Sequence, residues 1–406
     1  MKAVIVLISS GQPSLNPRLV KEADALCEIG YSVIVIYQYW NNWGTKFDEE
    51  LLKTKKWKSI RVGGTPNSDK IDYWLSRVTF KFYSILSRKT SFKFNIAELA
   101  IGRCTTQLLK KSLKIKADLY IAHNLGALPI AVRAAKQNNA KCGFDAEDFH
   151  RNEVSNDWKS FDVKLKSYLE CKYLHRLDYL TVASPLIAQA YKALDLNLTP
   201  VVINNVFELE YQPALNLNLN KGLKLFWFSQ TIGKNRGLED VILALNLINN
   251  SLIELNLLGN INESEKIYFD NLATFEIIYH QPISGKDIFK LANQFDIGLA
   301  LEISSPYNRS ICLTNKLFTY LLSGLAIIAS NTQAQTQFME ENLSVGELYP
   351  IGNINYFADV ISAFYKNKRL LNSYKKNAYH LARTKYNWEL EQKKFTSLIH
   401  NTLNEK

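Results

Sequence analysis

The chain has 406 residues, of which 47% are hydrophobic and 21% charged, and its formal net charge at pH 7 is +11. This length exceeds what one ordinary hydrophobic core organises, so two domains are expected, and the apolar content excludes a disordered protein. The five cysteines are scattered without a C-x-x-C pair, which argues against a disulfide framework or a structural zinc site and favours a reducing compartment.

The first fourteen residues, MKAVIVLISSGQPS, predict a buried first strand rather than a signal peptide, because the short apolar run ends at once in Gly-Gln-Pro. No run of residues approaches the ~18 apolar residues of a membrane span. We therefore expect a cytoplasmic protein, either free in the cytoplasm or at the inner face of the cell membrane.

Short apolar runs alternate with helical patterns along the first half of the chain. Pro17 suits the first turn of a helix, and Gly30 is suited to end it. Strands are predicted at residues 3–9, 32–37, 117–122 and 141–145, and helices at residues 17–29 and 128–137. Such alternation predicts a parallel sheet whose strands are joined by crossover helices.

Residues 70–116 carry much of the positive charge, with eleven lysines and arginines facing only Asp72 and Glu98. Aromatic residues are interleaved among these cations. Basic amphipathic helices with aromatics suit an anionic membrane surface, whereas a solvated helical face whose aromatics pack inward explains the pattern equally well. A nucleic-acid partner is not expected, because no recognised binding module accompanies the charge.

The alternation fails between residues 207 and 222, where asparagine and leucine alternate without a periodic apolar face, so this stretch is interpreted as a linker between domains. It then restarts. Strands are predicted at residues 223–228, 252–258, 275–279, 296–301 and 325–330, helices at 238–249, 263–272, 285–293 and 315–323, and the last fifty residues are predicted to be helical. The second half is therefore a second parallel-sheet domain.

The stretch FSQTIGKNRGLED, residues 228–240, runs from a strand into a loop with two glycines. Gly233 and Gly237 allow close approach of the backbone to a ligand, and Lys234 and Arg236 supply positive charge for a diphosphate. The loop lacks the spacing of a P-loop or of a dinucleotide site. An ordinary turn at the start of a helix accounts for the same pattern.

A second candidate anion site is CLTNKLFTYLLSGLAIIASNT, residues 312–332, where a helix begins near Asn315 and Lys316. A lysine in the first turn is disfavoured by the helix dipole, and an anion docked at that helix end would explain it. The alternative is an exposed lysine whose stem covers the edge of the core. The two candidate sites support each other, because both are expected at the same edge of one sheet.

The segment FDAEDFH, residues 144–150, follows a predicted strand and contains Asp145, Glu147, Asp148 and His150. Four titratable groups at a strand end suggest an acceptor or acid–base site, while a helix start that favours acids is the alternative. With no D-x-D, H-x-x-x-H or Cys/His pairing, no metal is expected.

The C-terminal half, with FSQTIGKNRGLEDVILAL and NKLFTYLLSGLAIIASN, resembles GT-B glycosyltransferases of the family 4 type (glycosyl transferases group 1). The segments SSGQPSLNPRLVKEADALCEIGYSVIVI and ADLYIAHNLGALPIAVRAAKQNNAKCGFDAEDFH look like the first half of that family, and YNWELEQKKFTSLIHNTL looks like its closing helices. The resemblance implies two Rossmann-like, doubly wound parallel-sheet domains facing across a cleft, with C-terminal helices that cross back to the N-terminal domain. The implied boundaries are 1–206, a linker at 207–222, 223–380, and a crossing helix at 381–406.

The activity that the resemblance implies is retaining, metal-independent transfer of a hexosyl group from a nucleotide-diphosphate sugar, without a cofactor. Arg236 and Lys234 would stabilise the departing diphosphate, and the helix beginning at Asn315 and Lys316 would cap it from the other side. His123 matches a histidine that reaches the donor sugar. Arg236, Lys316 and His123 are thus the predicted catalytic residues.

Further positions complete the predicted site. Gly11 and Gln12 match a loop that closes over the donor or the acceptor. The remaining donor-side positions are Gln230, Thr231, Gly233 and Thr319, and the predicted acceptor-side positions are Arg18, Asp145 and Glu147.

Two departures from the family pattern concern the donor site. Ile311 and Thr319 stand where many relatives carry a glutamate pair whose second member holds the ribose, and Gln230-Thr231 replaces a Gly-Arg pair. The nucleotide base is therefore left open. The expected acceptor is a glycan or a lipid-linked glycan in bacterial cell-surface polysaccharide synthesis, and the alternatives are a non-catalytic scaffold and a sugar-nucleotide 2-epimerase.

Overall fold

The computed structural model describes residues 2–283 and 285–404. The chain divides into two compact units: the first comprises the residues up to Ile203 together with those from Gln392 onward, and the second comprises Asn204–Glu391.

The first unit is built on a seven-stranded sheet in which every strand is parallel to its neighbours. Its strands are β1 Val4–Ser9, β2 Ser32–Gln38, β3 Lys58–Val62, β4 Leu119–His123, β5 Lys141–Glu147, β6 Tyr179–Val182 and β7 Val201–Val202. They are ordered β3-β2-β1-β4-β5-β6-β7. The central strands β1 and β4 are apolar runs buried on both faces, as expected where helices cover both sides of a parallel sheet.

Helices connect these strands. They are α1 Pro17–Glu28, α2 Asn42–Leu52, α3 Lys70–Lys89, α4 Ile96–Ile101, α5 Thr105–Leu113, α6 Leu128–Asn138, α7 Phe161–Tyr173 and α8 Pro185–Leu194. Helix α1 shows why the sequence starts a helix there: the side chain of Asn16 accepts a hydrogen bond from the Leu19 N–H at 3.0 Å, and Pro17 occupies the first helical position.

The second unit has a six-stranded parallel sheet in the order β10-β9-β8-β11-β12-β13. Its strands are β8 Leu223–Thr231, β9 Ile253–Asn260, β10 Ile277–His280, β11 Ile297–Ala300, β12 Ala326–Ser330 and β13 Gly346–Tyr349. Its helices are α9 Leu238–Ile248, α10 Glu263–Leu272, α11 Ile288–Ala292, α12 Tyr307–Ile311, α13 Asn315–Ser323, α14 Gln333–Glu341, α15 Ile354–Lys366 and α16 Lys368–Thr384. The last helix, α17 Trp388–Asn404, runs from the second unit into the C-terminal part of the first.

The fold class predicted from the alternation is confirmed, and the predicted strands and helices lie within a few residues of the observed ones. The predicted helix at 285–293 is the least accurate, since α11 covers only Ile288–Ala292. The stretch 207–222 contains one 3-10 turn, Leu209–Tyr211, and is otherwise irregular. Of the predicted C-terminal helix, residues 405 and 406 lie outside the described residues. Among the helices described, none combines the length and apolarity needed to cross a membrane.

Strand order identifies where each sheet is suited to bind a ligand. In the first unit the order reverses direction between β1 and β4, and in the second between β8 and β11. Ligands in open parallel sheets bind beyond the carboxyl ends of the strands at such switch points. Both points coincide with segments that carry predicted site residues.

Candidate ligand sites at the sheet edges

A cavity of about 380 Å³ lies at the switch point of the first sheet. The carboxyl ends of β1, β2, β4 and β5 all contribute to its wall, together with residues of the helical segments that follow β3. Its polar lining side chains are Ser10, Gln12, Asn16, Gln38, Arg103, Asn124 and Glu147, and Gly11, Trp40 and Phe80 are among the others. The structure therefore brings together the predicted residues Gly11, Gln12 and Glu147.

Two of the lining residues have a strained backbone. Asn124, directly after β4, has φ +69°, and Glu147, at the end of β5, has φ +57°. Left-handed backbone at a residue other than glycine costs on the order of 1–3 kcal/mol and persists where surrounding structure enforces it, often at functional sites. A register shift between Asp145 and Glu147 in the pairing of β5 with β6 accompanies this strain. A register shift of this kind changes the direction in which side chains point, and here Glu147 lines the cavity while Asp145 is buried.

Gln12 holds one wall of the cavity in place. Its Oε1 accepts hydrogen bonds from the backbone N–H groups of Trp40 (2.9 Å) and Asn41 (2.8 Å), and its Nε2 donates to Asp48 Oδ2 (2.7 Å). The side chain is fully buried. Gln12 thus fixes the segment that carries Trp40, a position that sequence analysis did not single out.

The first unit also contains a buried cluster of four charged side chains, Arg18, Glu22, His123 and Asp145, each at most 2% exposed. Arg18 Nε lies 2.6 Å from Asp145 Oδ2 and 3.5 Å from Glu22 Oε1. His123 Nε2 lies 3.2 Å from Glu22 Oε2, and its Nδ1 lies 3.4 Å from Asp145 Oδ2. The hydroxyl of Thr181 donates to the other oxygen of Asp145 at 2.9 Å.

The pKa values of this cluster follow from burial and from the partners. Burial opposes a charge on His123, but the carboxylates of Glu22 and Asp145 outweigh it and raise the pKa of the imidazole to about 9. Burial also opposes the charge of Asp145, yet the adjacent guanidinium of Arg18 and the imidazole keep its pKa well below the usual range. Burial and the neighbouring Asp145 raise the pKa of Glu22. Arg18 and His123 thus face the carboxylates of Glu22 and Asp145 within one buried cluster.

Glu22, His123 and Asp145 also place metal-ligand atoms within 4.8 Å of one another. Sequence spacing could not reveal this trio, because its members come from α1, β4 and β5. The guanidinium of Arg18, bonded to Asp145 and close to Glu22, already supplies a cation to the two carboxylates. The one sequence signal for Glu22 was its position four residues after Arg18 on the inward face of α1.

Asp148 and His150, the other two members of FDAEDFH, do not line the cavity. His150 is buried, and its Nδ1 lies 2.9 Å from Glu153 Oε1. Burial disfavours the charged imidazole, but Glu153 and further carboxylates outweigh it and raise the pKa of His150 to about 9. This ion pair links two residues of the segment that follows β5.

In the second unit, the loop after β8 lies at the switch point of the sheet. Nη1 of Arg236 donates to Ser229 Oγ at 2.9 Å, which holds the guanidinium near the end of β8. Gly237 has φ +77°, and a Cβ on it would lie 2.9 Å from Cβ of Leu301, the residue just after β11. Arg309 Nη1 donates to the carbonyl oxygen of Asn235 at 3.3 Å. The loop with Arg236 is therefore packed against the segment that follows β11.

Lys316 has a carboxylate partner within the chain. Its Nζ lies 2.6 Å from Glu302 Oε1, and both side chains are about one-eighth exposed. The same Nζ lies 5.5 Å from the ring centroid of Trp227 on β8. Glu302 thus accounts in part for a cation in the first turn of α13, for which the sequence offers a docked anion or an exposed lysine as explanations. In the described structure the side chain of Thr314 makes no capping hydrogen bond to that turn.

The remaining predicted donor-side positions differ in exposure. The side chains of Gln230, Thr231 and Asn315 are exposed, and a Cβ at Gly233 would meet no heavy atom within 4 Å. Lys234 Nζ lies 3.9 Å from the ring centroid of Tyr268. Those positions border open space.

Thr319 and Ile311, which occupy the positions of the family's glutamate pair, are both buried, at 1% and 0% exposure. The hydroxyl of Thr319 therefore faces the interior of the unit. His123, Arg18 and Asp145 are likewise shielded from solvent.

No family model matches the sequence, and none of the curated proteins matches it. Solved structures do match. Sucrose-phosphate synthase from Thermosynechococcus elongatus superimposes with a TM-score of 0.72 at 13% identity, over 98% of this chain and 99% of that one. HepE of Anabaena, solved in complex with UDP-glucose, gives a TM-score of 0.67 at 12% identity, over 98% and 100% of the two chains. The fold is GT-B.

A protein of Listeria monocytogenes described as a UDP-N-acetylglucosamine 2-epimerase also matches, with a TM-score of 0.61 at 10% identity, over 100% of this chain and 97% of that one. At such identities the similarity establishes the GT-B fold and leaves the chemistry to the residues of the site.

Proposed function

We propose that this chain is a glycosyltransferase that moves a sugar from a nucleotide-diphosphate sugar to a hydroxyl of a glycan or lipid-linked acceptor. One observation carries the proposal: Arg236 and Lys316 both lie at the switch point of the second sheet, next to Ser229 and Trp227 of β8. Two cations at that position are suited to a diphosphate. The GT-B fold, shared with HepE in its complex with UDP-glucose, supports the same function.

In the proposed reaction, the bond between the anomeric carbon and the β-phosphate oxygen breaks, and a bond from that carbon to the acceptor oxygen forms. Negative charge grows on the departing diphosphate, which takes up the proton of the acceptor hydroxyl. Arg236 and Lys316 stabilise that charge, and such preorganised groups are typically worth ~3 kcal/mol each. Lys234 and the N-terminal backbone of α13, which no side chain caps, assist them. The transfer retains the anomeric configuration and uses no metal.

The cavity of the first unit is the proposed acceptor site. Glu147 and Arg103 offer charged groups there, and the ring of Trp40, which the Arg103 guanidinium approaches to 4.4 Å, borders the same cavity. Gly11 and Gln12 shape the loop after β1. Arg18, Asp145 and His123 act as positioning residues that hold the ends of β4 and β5, because their side chains are buried and bonded to one another there.

The proposed setting is the synthesis of bacterial cell-surface polysaccharide, with the protein in the cytoplasm and in contact with the inner face of the membrane. A lipid-linked acceptor would be presented there.

Calorimetric titration with UDP, GDP, ADP, CMP and dTDP tests the donor site. We expect one nucleotide to bind to the natural protein and binding to be lost in Arg236→Ala and Lys316→Ala. Lys376→Ala is the control, because Lys376 is an exposed lysine on α16. Binding of no nucleotide, or unchanged binding in both site variants, would contradict the proposal.

A non-catalytic scaffold is the second candidate, favoured by the burial of Ile311 and Thr319 where relatives carry glutamates. It predicts that Arg236→Ala leaves the cellular polysaccharide unchanged. The epimerase alternative is distinguished by product analysis, since a transferase releases nucleoside diphosphate only when an acceptor is present.

A further inference from the structure

Helix α3 directs its large apolar side chains toward solvent. Six of them, between 49% and 84% exposed, recur at spacings of three or four residues and so form one stripe, which we name the outer face. Its members are Ile71, Trp74, Leu75, Val78, Phe82 and Ile85. A stripe of this kind on a globular protein normally faces the core.

The opposite side of the helix carries two buried serines beside larger, half-buried residues. Among the residues described for α3, those classed as buried are Ser76 and Ser87. The hydroxyl of each bonds to a backbone carbonyl of the same helix, Ser76 to Tyr73 at 2.8 Å and Ser87 to Ser84 at 3.0 Å. The helix therefore packs on its own unit through these serines and through half-buried larger residues, among them Tyr73, Phe80 and Leu86, while the apolar stripe remains exposed. An exposed apolar stripe of this size indicates a contact outside the chain.

The charge on α3 indicates what that partner is. The helix carries Lys70, Arg77, Lys81, Arg88 and Lys89 against one carboxylate, Asp72. A second copy of this chain docked through the same face would bring like charges together. An apolar stripe flanked by cations suits a bilayer that contains anionic lipid, because the apolar side chains enter the acyl boundary and the cations meet the headgroups.

A groove of about 730 Å³ continues from the outer face. Ile85 belongs to both, and the groove is further lined by Tyr73, Arg77, Lys81, Trp40 and Arg103. The Arg103 guanidinium lies 4.4 Å from the Trp40 ring centroid, and that of Arg77 lies 3.4 Å from the Tyr73 ring centroid. Of the described residues that line the groove, none is a carboxylate, so its cations are suited to phosphate.

We propose that the outer face of α3 docks onto an anionic lipid bilayer, with headgroup phosphate seated against Arg77 and Arg103. The inference extends the proposed function on its acceptor side, where a lipid-linked acceptor would be presented. Its test needs no nucleotide, so docking and donor binding succeed or fail separately.

Vesicle flotation with the full chain is the experiment. We expect the protein to float with vesicles of phosphatidylcholine and phosphatidylglycerol and to stay behind with phosphatidylcholine alone. Trp74→Gln with Phe82→Gln abolishes flotation, whereas Trp158→Gln with Leu196→Gln, equally exposed side chains elsewhere in the first unit, does not.

Charge substitutions form the second arm. Lys81→Glu with Arg88→Glu lowers the vesicle-bound fraction at least ~10-fold, since each cation near an anionic surface contributes to binding. Lys164→Glu with Lys192→Glu, also exposed in the first unit, leaves it unchanged. Arg77→Gln with Arg103→Gln weakens binding to the anionic vesicles.

Equal flotation with neutral and anionic vesicles, or none with either, would overturn the proposal. Light scattering supplies a further check: a dimer that dissociates in the Trp74→Gln, Phe82→Gln variant would make a second copy the occupant of the outer face and also overturn it. Circular dichroism and the thermal midpoint must be unchanged in each variant, as expected for exposed positions.

Discussion

Arg18 Nε lies 2.6 Å from Asp145 Oδ2 although 127 positions separate the two residues in the chain. The pair joins α1 to the end of β5, and the guanidinium also donates to the carbonyl oxygen of Ile203, next to the last strand of the sheet. Glu147, two residues beyond Asp145, lines the cavity. The ion pair is therefore part of the structure that supports the proposed acceptor site.

Replacing Arg18 with Met is expected to lower the stability of the protein by ~3–5 kcal/mol, because it leaves the carboxylates of Asp145 and Glu22 buried with insufficient positive charge. The shift of the urea midpoint measures the loss. Adding Asp145→Leu should recover part of it, since the double variant removes both members of the buried ion pair.

The matched control is Lys53→Met. Lys53 Nζ also lies 2.6 Å from a carboxylate, that of Glu50, but both side chains are more than 60% exposed. Exposed pairs contribute at most ~1 kcal/mol. Equal losses of stability in Arg18→Met and Lys53→Met would show that burial of the ion pair is not the cause of the effect.

Stability is expected to fall as the pH rises from 6.5 to about 9. The pKa of His123, which faces Glu22, Asp145 and Arg18, is raised from 6.5 to about 9, and so is that of His150, which faces Glu153 and further carboxylates. A folded-state pKa above the unfolded value contributes stability that is present below pH 6.5 and is lost as the pH passes about 9. Thermal midpoints measured across this range test the expectation.

His123→Gln should reduce that slope and His150→Gln should reduce it further. A slope that persists unchanged in the double variant would show that other groups cause it.

Gly237→Ala is expected to destabilise the second unit by roughly 1–3 kcal/mol, since alanine disfavours a φ of +77° and its Cβ would lie 2.9 Å from Leu301. The displaced loop carries Arg236, so nucleotide affinity should fall as well. Gly233→Ala is the stability control within the same loop, because Gly233 lacks a positive φ and has open space around it. The thermal midpoint measures stability and calorimetric titration measures nucleotide affinity, and an equal loss of thermal stability in Gly233→Ala would refute the structural account of the loop.

Glu302→Gln is expected to strengthen nucleoside diphosphate binding. The Glu302 carboxylate forms an ion pair with the Lys316 ammonium at 2.6 Å and would repel a diphosphate placed beside it. Titration with the nucleotide that binds the natural protein measures the change. Glu254→Gln, which removes the carboxylate of an exposed pair with Lys224, should have no effect. Weaker binding in Glu302→Gln would mean that Glu302 holds Lys316 in its working position instead of competing for it.

Those elements of secondary structure that were predicted from the sequence have local signals. The apolar run that forms β1 and the Pro17 that opens α1 each report a conformation through neighbouring residues. Gly11, Gln12 and Glu147 line one cavity because parallel strands end at one edge of a sheet, while their role in binding stays a prediction. Arg103 and Trp40 were missed as lining residues because they come from segments between strands, whose path no periodicity specifies.

The sequence by itself therefore determined that the chain forms two parallel sheets with crossover helices, and at which edge of each sheet the polar residues gather. Only the tertiary structure decided that His123 is buried between Glu22 and Asp145, that Lys316 is paired with Glu302, and that the apolar stripe of α3 faces solvent. The physical reason is that ion pairs and burial depend on distances between elements far apart in the chain. Helical and strand periodicity encode which residues share a face, but not what that face meets.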